Sequence, residues 1–174
     1  MPNLGEIVIY NTHGVCRICE IIQKEFAGEI KNYFLIKPVN DPKSCLYLPT
    51  DNELSLSRIR PILDKNAILD IISDIPNQEM QWIENDNERK RIFGEIVKEG
   101  NRKNLVALVK VIFKQKNILK AKKKKLHASD EQSLKEAENL LYDEISYVLE
   151  LNKCEVIQML KDKLDICDEA SIEQ

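Results

Sequence analysis

Histidine is nearly missing from this chain, aromatic residues are sparse, and nowhere does an apolar run approach the length of a bilayer. Two histidines, His13 and His127, among 174 residues leave little material for a metal centre or for imidazole acid–base chemistry. There is no glycine-rich phosphate loop, no nucleophile elbow and no zinc-hydrolase helix. The absence of any run of about 18 apolar residues argues against a membrane-spanning helix. Met1 is followed by Pro2 and Asn3 rather than by a basic, then apolar, leader, so the expected compartment is the cytoplasm. The five cysteines (Cys16, Cys19, Cys45, Cys154, Cys167) are odd in number and irregularly spaced. That pattern suits reduced thiols better than a disulfide framework. The sequence therefore predicts no enzyme, no cofactor, no metal and no small-molecule substrate.

What is present is a charge-rich chain, 43% apolar and 32% charged, long enough for one domain or two small ones. Its net charge of −3 hides a strong polarity. Residues 1–63 carry 7 basic and 7 acidic groups, 64–75 carry 1 and 3, 76–127 carry 14 and 6, and 128–174 carry 4 and 13. A basic block followed by an acidic one suits a face that meets a polyanion; solvated helix faces that balance each other would look the same.

The first sixty residues follow strand grammar. Ile7 to Tyr10, Val15 to Ile22, Tyr33 to Pro38 and Cys45 to Leu48 are short runs rich in β-branched and aromatic residues. Asn11 to Gly14, Ala27-Gly28-Glu29 and Asn40-Asp41-Pro42 punctuate them as turns. Four or five short antiparallel strands in such a span bury one face by curling into a small barrel, Tudor-like or SH3-like. After Pro61 the period becomes helical. Asp64 is a candidate N-cap for a short helix over Asn66 to Ser73, read as a linker, and a brief segment surrounds Trp82. A helix is expected from about Asn87 to Glu99, stopped by Gly100. Another runs from Lys103 to about Lys122 with Leu105, Leu108, Val109, Ile112 and Phe113 on one stripe. Ser129 and Gln132 form a capping box for a long helix through Leu149, and Asn152 caps a last one to about Leu164, before a frayed tail. The predicted class is α+β, with a β module at 1–62, a linker helix at 63–75, a helical domain at 76–166 and a tail at 167–174.

Cys16-Arg17-Ile18-Cys19 has the spacing of a metal or redox pair, but no second pair accompanies it and it lies within a strand pattern, where residues three apart face opposite ways. Packing is the favoured reading, and a thiol or metal sensor the rival. His13, between Thr12 and Gly14, reads as a turn residue. Trp82 is the single tryptophan, at the edge of the basic block. It serves either as core or as a flat aromatic that wedges against bases while cations hold phosphates. The cations available are Arg89, Lys90 and Arg91, then Arg102, Lys103, Lys110, Lys114 and Lys116, and the run Lys120 and Lys122 to Lys125.

Leu4-Gly5-Glu6-Ile7-Val8-Ile9-Tyr10, His13-Gly14-Val15, the stretch Glu25 to Lys37 with Gly28 and Tyr33-Phe34-Leu35-Ile36-Lys37, Leu46-Tyr47-Leu48-Pro49 and Ile59-Arg60-Pro61 occur in one collinear order. Together they resemble the CarD family, whose polymerase-interacting module also occurs in transcription-repair coupling factors. The resemblance runs on through Trp82, Arg89-Lys90-Arg91, Gly100 and a Ser-Asp-Glu turn at Ser129 to Glu131 between two helices, covering roughly Met1 to Leu164. It implies a Tudor-like barrel that pairs edge to edge with the RNA polymerase β subunit and an all-α DNA-binding domain at the upstream edge of the transcription bubble. Carried onto this sequence, the minor-groove wedge is Trp82 and the phosphate contacts are Arg89, Lys90 and Arg91; Lys122, Lys123 and Lys124 join them as DNA contacts on their charge alone, the alternative being a helix C-terminus favoured by the macrodipole. The polymerase contacts are Lys24, Ser44, Cys45, Leu46, Tyr47 and Leu48. The expected function is stabilisation of the open promoter complex with little sequence preference. The alternative is an adapter whose helical domain binds protein rather than DNA.

Overall fold

A computed structural model of the chain describes residues 2–161 and 163–164, so the tail expected at 167–174, with Cys167, lies outside the described residues. The chain divides into two compact units, Met1–Leu63 and Asp64–Gln174. Among the described residues no helix is long and apolar enough to cross a membrane.

The first unit is one antiparallel sheet of five strands: β1 (Ile7–Tyr10), β2 (Val15–Phe26), β3 (Glu29–Pro38), β4 (Leu46–Pro49) and β5 (Ile59–Pro61), in the spatial order β4-β3-β2-β1-β5. A single helical turn, α1 (Glu53–Leu56), precedes β5. The hairpin tip falls where the turn residues placed it. Ala27 and Gly28 take φ of 52° and 81°, the pair of left-handed residues that a two-residue turn needs to match strand twist. The strands either side of it are longer than the apolar runs suggested, because ladder pairing continues from Ile22↔Tyr33 out to Phe26↔Glu29 through a mainly polar stretch, with exposed Phe26 and Ile30, that lies outside the core.

The core consists of Val8, Cys16, Ile18, Phe34, Ile36 and Leu48, with Tyr10, Leu46, Leu56 and Ile59 packed against it. Leu46 lies in β4 and Ile59 in β5, the two borders of the sheet. Flat, a five-stranded sheet would hold those borders about 19 Å apart at about 4.8 Å per strand, so a shared core requires the sheet to curl. The ladder itself does not close: among the described residues β4 pairs with β3 and β5 with β1, and no pairing joins β4 to β5.

The second unit is helical: α2 (Lys65–Asp74), α3 (Asp86–Glu99), α4 (Arg102–Ala121), α5 (Ala128–Leu149) and α6 (Lys153–Lys161). Local caps set most boundaries. Asp64 accepts from the Ala67 amide, Asn85 from Glu88 and Asn101 from Lys103 and Asn104, while Gly100 ends α3 at φ 64°. Asn152 and Glu155 form a reciprocal capping box for α6. The box expected at Ser129 and Gln132 is not there. Ser129 is the second residue of α5, its hydroxyl lies 3.2 Å from His127 Nδ1, and His127 holds the cap position without a side-chain bond to the helix. Ser129 to Glu131 is thus the first turn of α5 rather than a connection.

The segment expected as a linker also has a different role. Ile68, Ile72 and Ile75 are buried and α2 packs on α5, so this helix is part of the second unit. Helix α5 is its centre, touching α2, α3, α4 and α6. Most of the α4 stripe is core, Leu105, Leu108, Val109 and Ile112 all being buried, whereas Phe113 sits half-buried with Lys116 Nζ 5.9 Å from its ring.

Candidate functional site

The first candidate surface is the β4 border. Thr50 N–H donates to Asn32 O, and Tyr33 stands opposite Pro49, so Asn32 and Thr50 form a hydrogen-bonded pair. Antiparallel pairs alternate, which makes Phe34↔Leu48 and Ile36↔Leu46 bonded pairs too and turns the N–H and C=O of Tyr47 away from β3. Pro49 adds no outward donor. The free border is therefore short and centred on Tyr47.

The side chains divide by the same alternation. Leu48 is 2% exposed and belongs to the core, and its backbone groups face β3, so of the residues expected to touch a partner it offers neither side chain nor backbone. Leu46 is half-buried against the same core. Tyr47 faces outward, and Lys24 sets its Nζ 3.7 Å from the Tyr47 ring centroid and 5.4 Å from that of Phe26. Phe26 also meets Tyr33 edge-on at 5.2 Å. Lys24, Phe26, Tyr33 and Tyr47 thus form a cationic, aromatic patch on the sheet face opposite the core. Phe26 was missed by sequence reasoning, although alternation from Lys24 places it on the same face. Ser44 and Cys45 precede β4 in a loop, where the Ser44 hydroxyl bonds to the Asp41 carboxylate and Cys45 is exposed.

Cys16 is fully buried in the core, and Cys19 sits half-buried where the β2–β3 register shifts between Ile18 and Glu20. Among the described residues no three His, Cys, Asp or Glu side chains gather as metal ligands. His13 closes the turn after β1, its ring stacked on Tyr10 at 5.9 Å.

The second candidate surface surrounds Trp82, in the irregular segment that leads into α3. Trp82 is half-buried, edge-on to Phe93 at 5.9 Å, with the Arg89 guanidinium 4.4 Å from its ring centroid. It is neither wholly core nor wholly surface.

Arg89 overturns its expected role. It is 4% exposed and shares the inner stripe of α3 with Phe93 and Val97. Nε and Nη2 donate to the two oxygens of Asp130 at 3.0 and 2.9 Å, Nη2 also to Asp86 at 2.7 Å, and Nη1 to the carbonyls of Ile83 and Glu84 at 2.8 and 3.3 Å. A guanidinium has five N–H donors, and all five are engaged, so none remains for a phosphate. Asp130 in particular holds this guanidinium above its ordinary range. A second, partly buried pair repeats the device: Arg102, first residue of α4, donates at 2.9 and 2.7 Å to Glu144 of α5. Part of the charge polarity seen in the sequence is therefore internal, basic helices pinned to the acidic one.

The other cations assigned to DNA stay outside, whereas Lys110 is half-buried and donates to the Ile75 and Pro76 carbonyls. Lys90 is exposed, and Arg91 is exposed but forked onto Glu95 at 2.9 and 3.0 Å. Lys122, Lys123 and Lys124 are exposed at the end of α4, where Lys123 adopts φ 56° and the Lys124 and Lys123 amides bond back to Leu119 O and Lys120 O in a Schellman closure. Lys124 also lines an open recess of about 340 Å³ with Lys116, Lys120, Lys125, Leu126 and Glu131. The bond from Arg89 to Asp130 ties the start of α3 to the start of α5, and Lys124 and Asp130 are six Cα steps apart. Even fully extended they span about 20 Å, so Trp82 and the lysine run share one end of the helical unit.

Residues 3–62, almost the whole first unit, match the family model described as CarD-like/TRCF RID domain. Over 148 residues the chain is 27% identical to a protein of Bacillus subtilis (strain 168) named "Putative transcription factor YdeB", an alignment covering 85% of this chain and 92% of that protein. The sheet unit is therefore similar to the CarD-like/TRCF RID domain, and the similarity to the Bacillus subtilis protein extends well into the helical unit.

Proposed function

We propose that this protein is a non-enzymatic regulator of transcription that binds the RNA polymerase β subunit through the β4 border and stabilises the open promoter complex through its helical unit. The observation that carries the reading is the gathering of a half-buried tryptophan and an exposed lysine run at one end of that unit. An outward backbone edge at Tyr47 can accept a partner strand without any deep pocket, which fits a module whose family is defined by polymerase interaction. Trp82 then acts as a wedge in the minor groove at the upstream edge of the bubble, and Lys90 with Lys122, Lys123 and Lys124 neutralises phosphates. Such contacts respond to groove shape and backbone charge, so binding falls steeply with salt and depends little on sequence.

Stabilising the bubble needs only tighter binding to the opened than to the closed promoter; a difference of about 1.4 kcal/mol shifts that balance tenfold. Trp82→Ala should shorten the lifetime of open complexes while leaving affinity for polymerase unchanged. If lifetime and affinity both match the wild type, the wedge is wrong. The reading as a protein-binding adapter draws on one observation, the internal pairing of Arg89 and Arg102. Its mark would be partner binding that is insensitive to salt.

A further inference from the structure

We infer that the buried Arg89–Asp130 pair is a positioning device that holds the Trp82 indole in a fixed pose, an assignment that rests on the wedge reading above. The guanidinium makes two kinds of contact at once. Its Cζ lies over the indole, 4.4 Å from the ring centroid, while its donors take the carbonyls of Ile83 and Glu84, the two residues that follow Trp82. Ring and backbone of the irregular segment are thus both referred to one rigid group.

That group is itself immobilised. Asp130 is 1% exposed and grips Arg89 through both oxygens from the first turn of α5, while Asp86 closes the fork from α3. Phe93, fully buried one turn along α3, sets the second contact with the indole. Segment 78–85 has no helical or strand ladder of its own, so without the pair the indole would be held by Phe93 and by the chain alone. Arginine suits the position because one planar fork can stack and donate in several directions together; lysine cannot do both. A wedge works only if its pose is set before it meets DNA, since each rotamer ordered on binding subtracts from affinity.

Trp82 is the single tryptophan, so its fluorescence reports the pose directly, without DNA. In Arg89→Lys the charge remains and the fork is lost. Its emission should move to the red and acrylamide quenching should rise, with helical circular dichroism unchanged and open-complex lifetime shortened. A buried pair with one member altered can unfold its surroundings, so the double replacement Arg89→Met with Asp130→Leu is the companion. It removes both charges together and keeps the volume apolar. That variant should fold cooperatively, show the same red shift and quenching, and lose open-complex stabilisation while retaining polymerase affinity. If emission and quenching of either folded variant equal the wild type, the positioning assignment is overturned. If the indole is loosened and open complexes keep their full lifetime, the positioning of Trp82 stands and the wedge reading falls.

Discussion

Each unit sets a cation over an aromatic ring, and the two pairs are built on different terms. Lys24 lies 3.7 Å from the Tyr47 ring on the outer face of the sheet, with no carboxylate in ion-pair range among the described residues. Arg89 lies 4.4 Å from the Trp82 ring, buried and bonded through every donor it has. The lysine is a hydrated point charge that can leave its ring for a partner's carboxylate; the arginine is committed to its own fold. One surface is adaptable and the other is preset. That division suits a module that docks on a protein and a unit that presents a rigid side chain.

The difference can be tested by removing each anchor. The largest effect is expected for Asp130→Ala, which leaves Arg89 buried and unmatched and should cost the helical unit about 3–5 kcal/mol, read by urea denaturation. Leu48→Ala should cost the sheet unit about 2–5 kcal/mol, because the outward-lying strand still contributes a core side chain. Tyr47→Pro deletes the outward N–H without touching the β3 ladder, so polymerase binding should fail while thermal unfolding of the sheet unit barely moves. Lys24→Ala should cost at most about 1 kcal/mol, as expected for a half-buried surface cation over a ring; a loss as large as that of Asp130→Ala would erase the contrast between the two pairs.

The smallest expected effect concerns pH. Burial raises the Glu138 carboxyl above its ordinary range, against the opposing hydrogen bond from Tyr142. The folded state therefore holds that proton more tightly than the unfolded one. Its contribution to stability declines as pH rises from the ordinary glutamate range through the raised value, and recovers on acidification. Glu138→Gln should remove this local slope from a stability–pH profile of the helical unit.

Much of the architecture was legible from local chemistry. Asp64, Asn152 and Gly100, all read from the sequence, bound their helices because a side-chain oxygen or a left-handed residue satisfies orphan backbone groups within three or four residues; Asn85 and Asn101 act in the same way and were not singled out. The Ala27-Gly28 tip is local in the same way. The capping box at Ser129 failed because His127 starts the helix two residues earlier and Asp130 turns inward to Arg89. Arg89 could have been placed correctly from its spacing. It stands four residues before Phe93 and eight before Val97, just as Asp130 stands four before Leu134, so both occupy inner-stripe positions. Charge type outweighed period in assigning Arg89 to the surface.

Sequence alone therefore determined the class of each half, the hairpin tip and several caps, and the similarity of the sheet module to the CarD-like domain, since these depend on contacts within a few residues or on collinear motifs. Which cations remain available to a polyanion, which strand lies at the border, and what holds the single indole were decided only in three dimensions. Those outcomes depend on partners 41 or 42 residues apart, as Arg89 and Asp130 or Arg102 and Glu144 are, and burial of a charge becomes tolerable only when such a distant partner arrives.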